Sequence, residues 1–526
     1  MQQLSPHDAR FVYADTSHAN ANVTLIHIYD QSTAPGGVVR FKSILQHIQS
    51  RLARSPLFRR KLKRVPMELD HPYWVDDEHF DLEYHVRHIA LPKPGDWRQF
   101  CIQVSRLHAR ALDFDRPLWE VYVIEGLDSL VGLPPGSFAL VAKTHHAAVD
   151  LAQGPVLTEL LHDLSPGAEP APPEPWFPER APGELQLLSR GIVRTATSPL
   201  RLVQPLARAV AQLAPAALNW ATRRVMGRKK LPPTRFNAVV SSYRVFETRR
   251  FQLEDFKRIR RLADGASVND VVLAVCAGAL RRYLDSHGEL PARSLGAVAP
   301  IYLRGAERDP QVAPELSWMR VLLGTDIADA AARLAFIVAQ TATSATRTRA
   351  LPVSEMIERE APAATLAMAS KRLAGAQLST LPLGRRTPLA NCTITNVPGP
   401  SQPQYLCGAR MSYFSAMLPI SDGMGLVLAV TSYDGRIIIS PTSCRELMPD
   451  PARFASALRD SFEELLALAK ALPVPARPDA KNDVPAGSPA KRLRRSKPAS
   501  PTKPPARKPR RVVSSSGKSA RAAPVA

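Results

Sequence analysis

A proline-rich segment sets the main limit on how this chain can fold. Residues 166–183 read PGAEPAPPEPWFPERAPG, and neither a helix nor a sheet continues through prolines at this density. The chain has 526 residues, enough for two large domains or about three of average size. We therefore expect a linker here, with a folded unit on each side of it.

Both folded units have the mixed helix and strand pattern of an α/β fold. We place the first unit at residues 1–163 and the second at 233–472, joined by a linker at 164–232 that is first proline-rich and then basic and amphipathic. The tail, residues 473–526, is rich in Lys, Arg, Pro and Ala. Such low-complexity composition cannot build a core, so we predict that the tail is disordered.

Short β-branched runs predict strands, and apolar spacing at i, i+3 and i+4 predicts helices. In the first unit the predicted strands are 23–29 and 137–143, and the predicted helices are 41–57 and 97–112. In the second unit the predicted strands are 247–253, 393–396, 425–433 and 436–440, and the predicted helices are 253–262, 269–283 and 454–472. Ser267 or Asn269 is the expected N-cap of helix 269–283. Asp434-Gly435 predicts a hairpin with a primed turn.

The positive charge of the chain is concentrated outside the two units. The tail from residue 471 carries 14 Lys and Arg against 2 Asp and Glu, which is +12 of the net +22. Its basic runs lack interleaved aromatic residues, which argues against nucleic-acid recognition. Residues 190–230 carry nine Lys or Arg, no Asp or Glu, and Trp220. We expect this segment to lie on an anionic membrane; alternatively, it packs across both units with its cations solvated.

The cysteine pattern and the N-terminus favour a cytoplasmic protein. Five widely spaced cysteines without a CxxC pair argue against a disulfide framework and a zinc site. The sequence MQQLSPHDARF lacks the basic and apolar regions of a secretory signal. No apolar run approaches the roughly 18 residues of a membrane span.

Two adjacent histidines are the strongest candidates for chemistry. His145 and His146 follow a predicted strand, Asp150 comes four residues later, and helical periodicity resumes after it. A histidine in such a loop suits general base catalysis, because its usual pKa near 6.5 lets it accept a proton at neutral pH. Side chains of adjacent residues point apart on an extended backbone, so we expect one ring to face substrate and the other to pack inward. The alternative is that both histidines are structural.

Other reaction classes lack their motifs. There is no HExxH, no Cys/His cluster, no GxSxG elbow, no Walker loop and no GxGxxG in this sequence. A metal site is therefore not predicted. Without an activated nucleophile, the simplest chemistry is direct transfer, in which a base deprotonates a hydroxyl that attacks an activated acyl group.

The segment HHAAVDLAQG at 145–154 resembles the HHxxxDG signature of the CoA-dependent acyltransferases. The chain as a whole resembles the bacterial wax ester synthase/acyl-CoA:diacylglycerol acyltransferase family. The motifs that carry this resemblance are LSPHDARFVYAD at 4–15, RPLWEVYVIEGL at 116–127, SVNDVVLAVCAGALRRYL at 267–284, APIYLRG at 299–305, TNVPGP at 395–400 and SYDGR at 432–436.

The resemblance implies a fold and a reaction. The fold is two domains of the chloramphenicol-acetyltransferase type with a tunnel between them. The reaction transfers an acyl group from long-chain acyl-CoA to diacylglycerol or a fatty alcohol, with acyl-CoA as co-substrate and no bound cofactor. The protein would work in the cytoplasm, at the inner membrane or at lipid inclusions.

The resemblance also implies residue roles. His146 matches the general base, His145 its partner, and Asp150 the motif aspartate that holds the loop geometry. Asn269 and Asp270 match a pair that lines the tunnel from the second domain; capping of the helix is the structural alternative.

One departure from the family motif bears on activity. Leu151 stands where the motif has glycine, and leucine is strained by about 1–2 kcal/mol if the position needs a positive φ. The alternative function is therefore a catalytically weak or inactive family member that binds the surface of a lipid inclusion or membrane.

Overall fold

The fold is described from a computed structural model of the chain. The described residues are 1–127, 129, 132–148, 155–168, 175–193, 231–302, 316–347, 388 and 390–472. Asp150, Leu151, most of the basic segment 190–230 and the tail lie outside them, so the predictions that concern these residues are not addressed by the structure.

Helices and strands alternate along the chain, as expected for an α/β fold. The strands are β1 Gln2–Gln3, β2 Asn22–Asp30, β3 Arg60–Lys63, β4 Tyr73–Asp76, β5 Val86–Ala90, β6 Trp119–Glu125, β7 Phe138–His145, β8 Arg244–Phe246, β9 Arg249–Gln252, β10 Gly296–Tyr302, β11 Leu316–Leu322, β12 Cys392–Pro398, β13 Tyr405–Leu406, β14 Ala409–Met417, β15 Val427–Tyr433 and β16 Arg436–Cys444. The helices are α1 Pro6–Ala14, α2 Phe41–Gln49, α3 Leu82–His85, α4 Trp97–Ala109, α5 Pro155–Leu161, α6 184–193, α7 Leu253–Ile259, α8 Val268–Asp285, α9 Ala330–Arg347 and α10 Pro451–Ala471.

Two large sheets organise these elements. The first has the strand order β13-β14-β2-β7-β6-β5, and the second has β11-β10-β12-β15-β16-β8, with β9 also paired to β16. A small sheet, β1-β4-β3, lies beside them. The predicted α/β class is confirmed.

Strand β14 comes from the second half of the chain but belongs to the first sheet. It pairs antiparallel with β2 from Arg410↔Asp30 to Met417↔Thr24, with an irregularity after Met411. Its pairing joins the two halves of the molecule through backbone hydrogen bonds. This exchange could not be predicted from the sequence, because strand pairing between distant residues leaves no local pattern. The domain bounds 1–163 and 233–472 stay a prediction.

Most predicted elements are present, but helix 41–57 was predicted too long. The α-helix ends at Gln49, and two 3₁₀ turns follow, Leu52–Arg54 and Pro56–Phe58. Pro56 disfavours a helical conformation at Ser55 and lacks the N–H that a continuing helix needs.

The hairpin between β15 and β16 has the predicted primed turn. Asp434 and Gly435 both adopt positive φ, 48° and 70°, and Tyr433 pairs with Arg436 across the turn. Positive φ at both central residues is the requirement of a type I′ turn.

Helix α8 is the central helix of the second half. Its residues Val271–Leu280 are all buried, including Cys276, which packs as a small apolar residue. The five cysteines are all free thiols. Within the described ranges, no helix has both the length and the hydropathy required to cross a bilayer.

Candidate active site

Strand β7 brings the two histidines to the end of the first sheet. All eight of its residues are buried, and it lies between β2 and β6. The His145 N–H donates to Leu118 O at 3.0 Å, and the His146 N–H donates to Ala21 O at 2.8 Å. The backbone of the dipeptide is therefore held from both sides before the 3₁₀ turn His146–Ala148 begins.

The His145 ring faces inward and is 0% exposed. Its Nδ1 accepts a hydrogen bond from the Ala147 N–H at 3.2 Å. A backbone N–H only donates, so Nδ1 carries no proton and the neutral ring carries its proton on Nε2. Nε2 lies 3.4 Å from Asp15 Oδ1, and the Phe114 ring meets the imidazole edge-on at 5.2 Å. This arrangement suits a ring that holds the loop.

Asp15 is a site residue that the sequence analysis missed. It follows α1 directly, and its Oδ1 also accepts the Ala21 N–H at 2.6 Å. One carboxylate thus links the N-terminal segment, the backbone beside His146 and the ring of His145. The only sign in the sequence was the motif at 4–15, which carried the resemblance but had no role assigned to it.

The His146 ring is 7% exposed and stacks on Phe11 of α1, with centroids 3.7 Å apart and planes 18° apart. Ala147 belongs to an apolar cluster with residues of α1, including Ala9 and Val12. Helix α1 therefore forms one wall of the site and fixes the plane of the His146 ring. Of the two imidazoles, His146 is the one with surface left to meet a substrate.

Leu118 and Trp119, from the motif at 116–127, contact neighbouring structural residues. Trp119 Nε1 donates to Phe58 O at 2.9 Å, and its ring stacks on His85 at 4.5 Å. Both Leu118 and Trp119 are buried, and Leu118 supplies the carbonyl that accepts the His145 N–H. The motif thus supports the histidines from the neighbouring strand.

A buried ion pair lies two residues before His145 on β7. Lys143 Nζ is 2.8 Å from Glu120 Oε2 and donates to Leu107 O and Arg110 O. Burial lowers the pKa of Lys143, and Glu120 opposes that shift. Burial acts to raise the pKa of Glu120, but Lys143 and the hydroxyl of Tyr122 hold it below its usual value. The pair ties β6 and β7 to the end of α4.

Asn269 and Asp270 lie in the first turn of α8. Ser267 is the N-cap, and Asp270 completes a capping box by accepting the Ser267 N–H at 2.7 Å. Asp270 also accepts from Thr341 Oγ1 at 2.8 Å. Of the two expected N-caps, Ser267 is the one that caps the helix, because α8 begins at Val268 and Asn269 lies inside it. Asn269 is exposed, and the described contacts of this pair do not include either histidine.

Two cavities lie in different parts of the molecule. One, of about 400 Å³, is lined by residues of β3 and β4 together with Phe114, whose ring meets the His145 imidazole edge-on; its lining includes Lys61, Lys63, Asp76 and Glu78, of both charge signs, but neither His145 nor His146. The second, of about 780 Å³, is lined by residues of α4, β9 and α10 and contains none of the predicted site residues. Among the described residues, no group of three His, Cys, Asp or Glu side chains is placed to hold a metal ion.

Comparison with known proteins identifies the family. Residues 4–272 match the wax ester synthase/diacylglycerol acyltransferase catalytic domain, and residues 315–466 match the C-terminal domain of the same family. Two Mycobacterium tuberculosis proteins that carry provisional names as diacylglycerol O-acyltransferases are similar over most of their length. One is 33% identical over 471 residues, covering 89% of this chain and 90% of the relative. The other is 31% identical over 484 residues, covering 90% and 99%.

Solved structures agree with this relationship. The wax ester synthase/diacylglycerol acyltransferase from Marinobacter aquaeolei VT8 has a TM-score of 0.63 and 28% identity, covering 89% of this chain and all of that one. A starter condensation domain of rhizomide synthetase has a TM-score of 0.50 at 12% identity, covering 89% and 94%, and shows the shared fold alone.

The role of Asp15 can be tested by stability. Asp15→Ala removes the acceptor of the Ala21 N–H, and an unpaired buried N–H costs about 1–3 kcal/mol. We therefore expect a loss of about 1–3 kcal/mol in the free energy of unfolding, measured by urea denaturation. Asp15→Asn keeps an oxygen acceptor and should lose less. Equal losses of unfolding free energy in both variants would mean that Asp15 does not stabilise the fold through its oxygen acceptor.

Proposed function

Because this chain belongs to the wax ester synthase/diacylglycerol acyltransferase family, we propose that it transfers a long-chain acyl group from acyl-CoA to the hydroxyl of diacylglycerol, a fatty alcohol, or both. The products would be triacylglycerol and wax ester. The observation that carries the proposal is the family match over both halves of the chain, together with a histidine pair held at the end of β7. Acyl-CoA enters as co-substrate.

In the proposed reaction His146 is the general base. Its ring takes the proton of the acceptor hydroxyl while the oxygen attacks the thioester carbonyl. The new C–O bond forms, the C–S bond breaks, and the leaving thiolate takes the proton back from the imidazolium. No acyl group is attached to the protein. His145 has its Nδ1 engaged by Ala147, which leaves the base role to His146, and we assign Asp150 to loop geometry.

Asn269 and Asp270 have different parts in this proposal. The Asp270 carboxylate is engaged by Ser267 and Thr341, so it positions the first turn of α8. Asn269 is exposed at the same turn and remains the candidate of the pair for contact with substrate.

The base role predicts a large loss of turnover in His146→Ala. General base catalysis contributes about 10²–10⁴-fold, so kcat should fall by that factor. The assay offers radiolabelled palmitoyl-CoA with dioleoylglycerol or hexadecanol and separates the products by thin-layer chromatography, which also reports acceptor preference. His88→Ala is the matched control, because His88 is a surface residue paired with Glu125 at 3.1 Å. Full activity in His146→Ala would remove this mechanism.

A second function, lipid-surface binding without turnover, is favoured by Leu151 in place of the motif glycine. Leu151→Gly separates the two. If leucine limits the reaction, relief of about 1–2 kcal/mol of strain should raise kcat by about 5- to 30-fold, with acceptor preference unchanged. An unchanged or lower rate would mean that the loop is adapted to leucine.

We also propose that the enzyme works at an anionic lipid surface, since diacylglycerol and both products are insoluble in water. Helix α6 supports this. Its Leu187 is buried against Val65 and Tyr73, whereas Leu185 and Ile192, on another face of the helix, are 83% and 53% exposed. The basic segment 190–230 begins within the last residues of this helix, 190–193, and continues after it in the sequence. Each Lys or Arg near an anionic leaflet contributes about 1 kcal/mol.

Liposome flotation tests this surface. A chain ending at residue 472 should float with anionic vesicles at low salt, less with neutral ones, and less after Leu185→Asp with Ile192→Asp. Charge reversal at Arg223, Arg224, Arg228, Lys229 and Lys230 should also reduce binding. Val239→Asp, at another exposed apolar residue, is the control. Flotation of the intact chain but not the shortened one would assign the contact to the tail.

A further inference from the structure

We propose that a buried chain of hydrogen bonds through His27, Thr158, His162 and Tyr29 positions helix α5 against the sheet that carries the two motif histidines. This inference rests on the proposed function, because α5 begins at the residue after the motif segment 145–154. The strand before the motif and the helix after it would then be held by one network, with the four side chains as positioning residues.

The four side chains join strand β2 to helix α5. His27 and Tyr29 lie on β2, Thr158 lies in α5, and His162 follows its last residue; all four are buried. His27 Nε2 is 3.2 Å from Thr158 Oγ1, and the Tyr29 hydroxyl is hydrogen-bonded to His162 Nε2. The His27 and His162 rings are 5.0 Å apart. Since β2 also pairs with β7 from Asn22↔His145 to Tyr29↔Phe138, the network connects α5 to the strand that carries His145.

The direction of every hydrogen bond in this network follows from its two carbonyl acceptors. His27 Nδ1 faces Leu140 O at 3.3 Å, and His162 Nδ1 faces Thr158 O. A carbonyl only accepts, so both Nδ1 atoms carry the proton and both Nε2 atoms accept when the rings are neutral. The Thr158 hydroxyl therefore donates to His27, and the Tyr29 hydroxyl donates to His162. All four ring nitrogens are paired.

The surroundings keep both rings neutral. Burial lowers the pKa of His27 to about 4. Burial, reinforced by the neighbouring His27, lowers the pKa of His162 well below its usual value. Burial likewise raises the pKa of Tyr29 far above 10, so its hydroxyl keeps the proton that it donates. The network thus retains one pattern of donors and acceptors at neutral pH, as a fixed positioning device requires.

A second set of contacts holds the chain just after α5. His47 Nε2 donates to Leu161 O at 2.9 Å, and Arg51 Nη1 donates to His162 O at 3.2 Å. Arg51 also forms a buried ion pair with Asp163. The backbone of Asp163 exchanges two hydrogen bonds of 2.9 Å with Tyr405. These contacts fix residues 161–163, and Arg51 Nη1 also donates to Leu160 O at 3.4 Å in the last turn of α5. The hydroxyl of Thr158 is a link to the helix from the side of β2.

The network is too far from the motif histidines to touch the reacting atoms. His27 pairs with Leu140, five residues before His145 on β7. At about 3.4 Å per residue, this places it roughly 17 Å from His145. Any effect on turnover must therefore pass through the position of α5.

Thr158→Val is the decisive variant, because it keeps the shape of the side chain and removes the hydroxyl. The matched control is Thr24→Val, because Thr24 lies on the same strand, β2, but outside the network. Thr24 is also fully buried, and its Oγ1 is 2.8 Å from His108 Nδ1. Thr24 lies on the opposite face of β2 from His27, beside α4. Both valine variants break one buried Thr–His hydrogen bond, but only one of these bonds involves α5.

We expect the urea midpoint to fall by a similar amount in both valine variants. In Thr158→Val alone, kcat should fall at least tenfold with the KM for acyl-CoA within threefold, and the backbone amides that follow Pro155, up to residue 163, should exchange with deuterium faster. Thr158→Ser, which keeps the hydroxyl, should restore kcat to within threefold of the original chain. If Thr158→Val does not fold, Tyr29→Phe removes the other link while retaining the stacking on Phe138.

Three outcomes decide the proposal. Equal kcat in Thr158→Val and Thr24→Val would overturn it, and so would unchanged exchange at residues 155–163. If the original chain has no turnover with either acceptor, the proposed function fails. The exchange measurement alone then decides whether the network holds α5, because it does not depend on activity.

Discussion

The pairing of β7 between β2 and β6 is the constraint on which the site depends. Two backbone hydrogen bonds, from His145 to Leu118 and from His146 to Ala21, hold the dipeptide at the sheet end. Strand β7 ends at His145 and a 3₁₀ turn begins at His146, so the two side chains leave the backbone in different directions. With the backbone fixed, the His145 ring faces Asp15 and the His146 ring lies on Phe11. The different surroundings of the two rings therefore follow from the change of backbone conformation at the end of the strand.

The same sheet depends on a strand from the far end of the sequence. β14 lies beside β2, which in turn lies beside β7. A shift of β14 by one residue would move its alternate side chains to the wrong face. The sheet end that carries the histidines is therefore complete only when the second half of the chain has folded. The family match likewise extends over both halves of the chain.

Local signals were enough to predict much of the fold and part of the site. The strand before His145, the capped helix after Ser267 and the turn at Asp434-Gly435 all depend on neighbouring residues, and each was predicted. Asp15, Phe11 and the exchange of β14 were not, because each depends on contacts between residues far apart in sequence. His146 is 135 residues from Phe11, and only the folded chain brings the two rings to 3.7 Å.

The buried histidines of the first sheet show how hydrogen-bond partners determine chemistry. In His27 and His162 both ring nitrogens are engaged, so neither ring can take up a proton without breaking a buried bond. His145 is limited in the same way at Nδ1. The His146 ring instead stacks on Phe11 with centroids 3.7 Å apart, and the residue is 7% exposed. Two adjacent histidines of one motif thus lie in different surroundings, which the sequence motif alone does not specify.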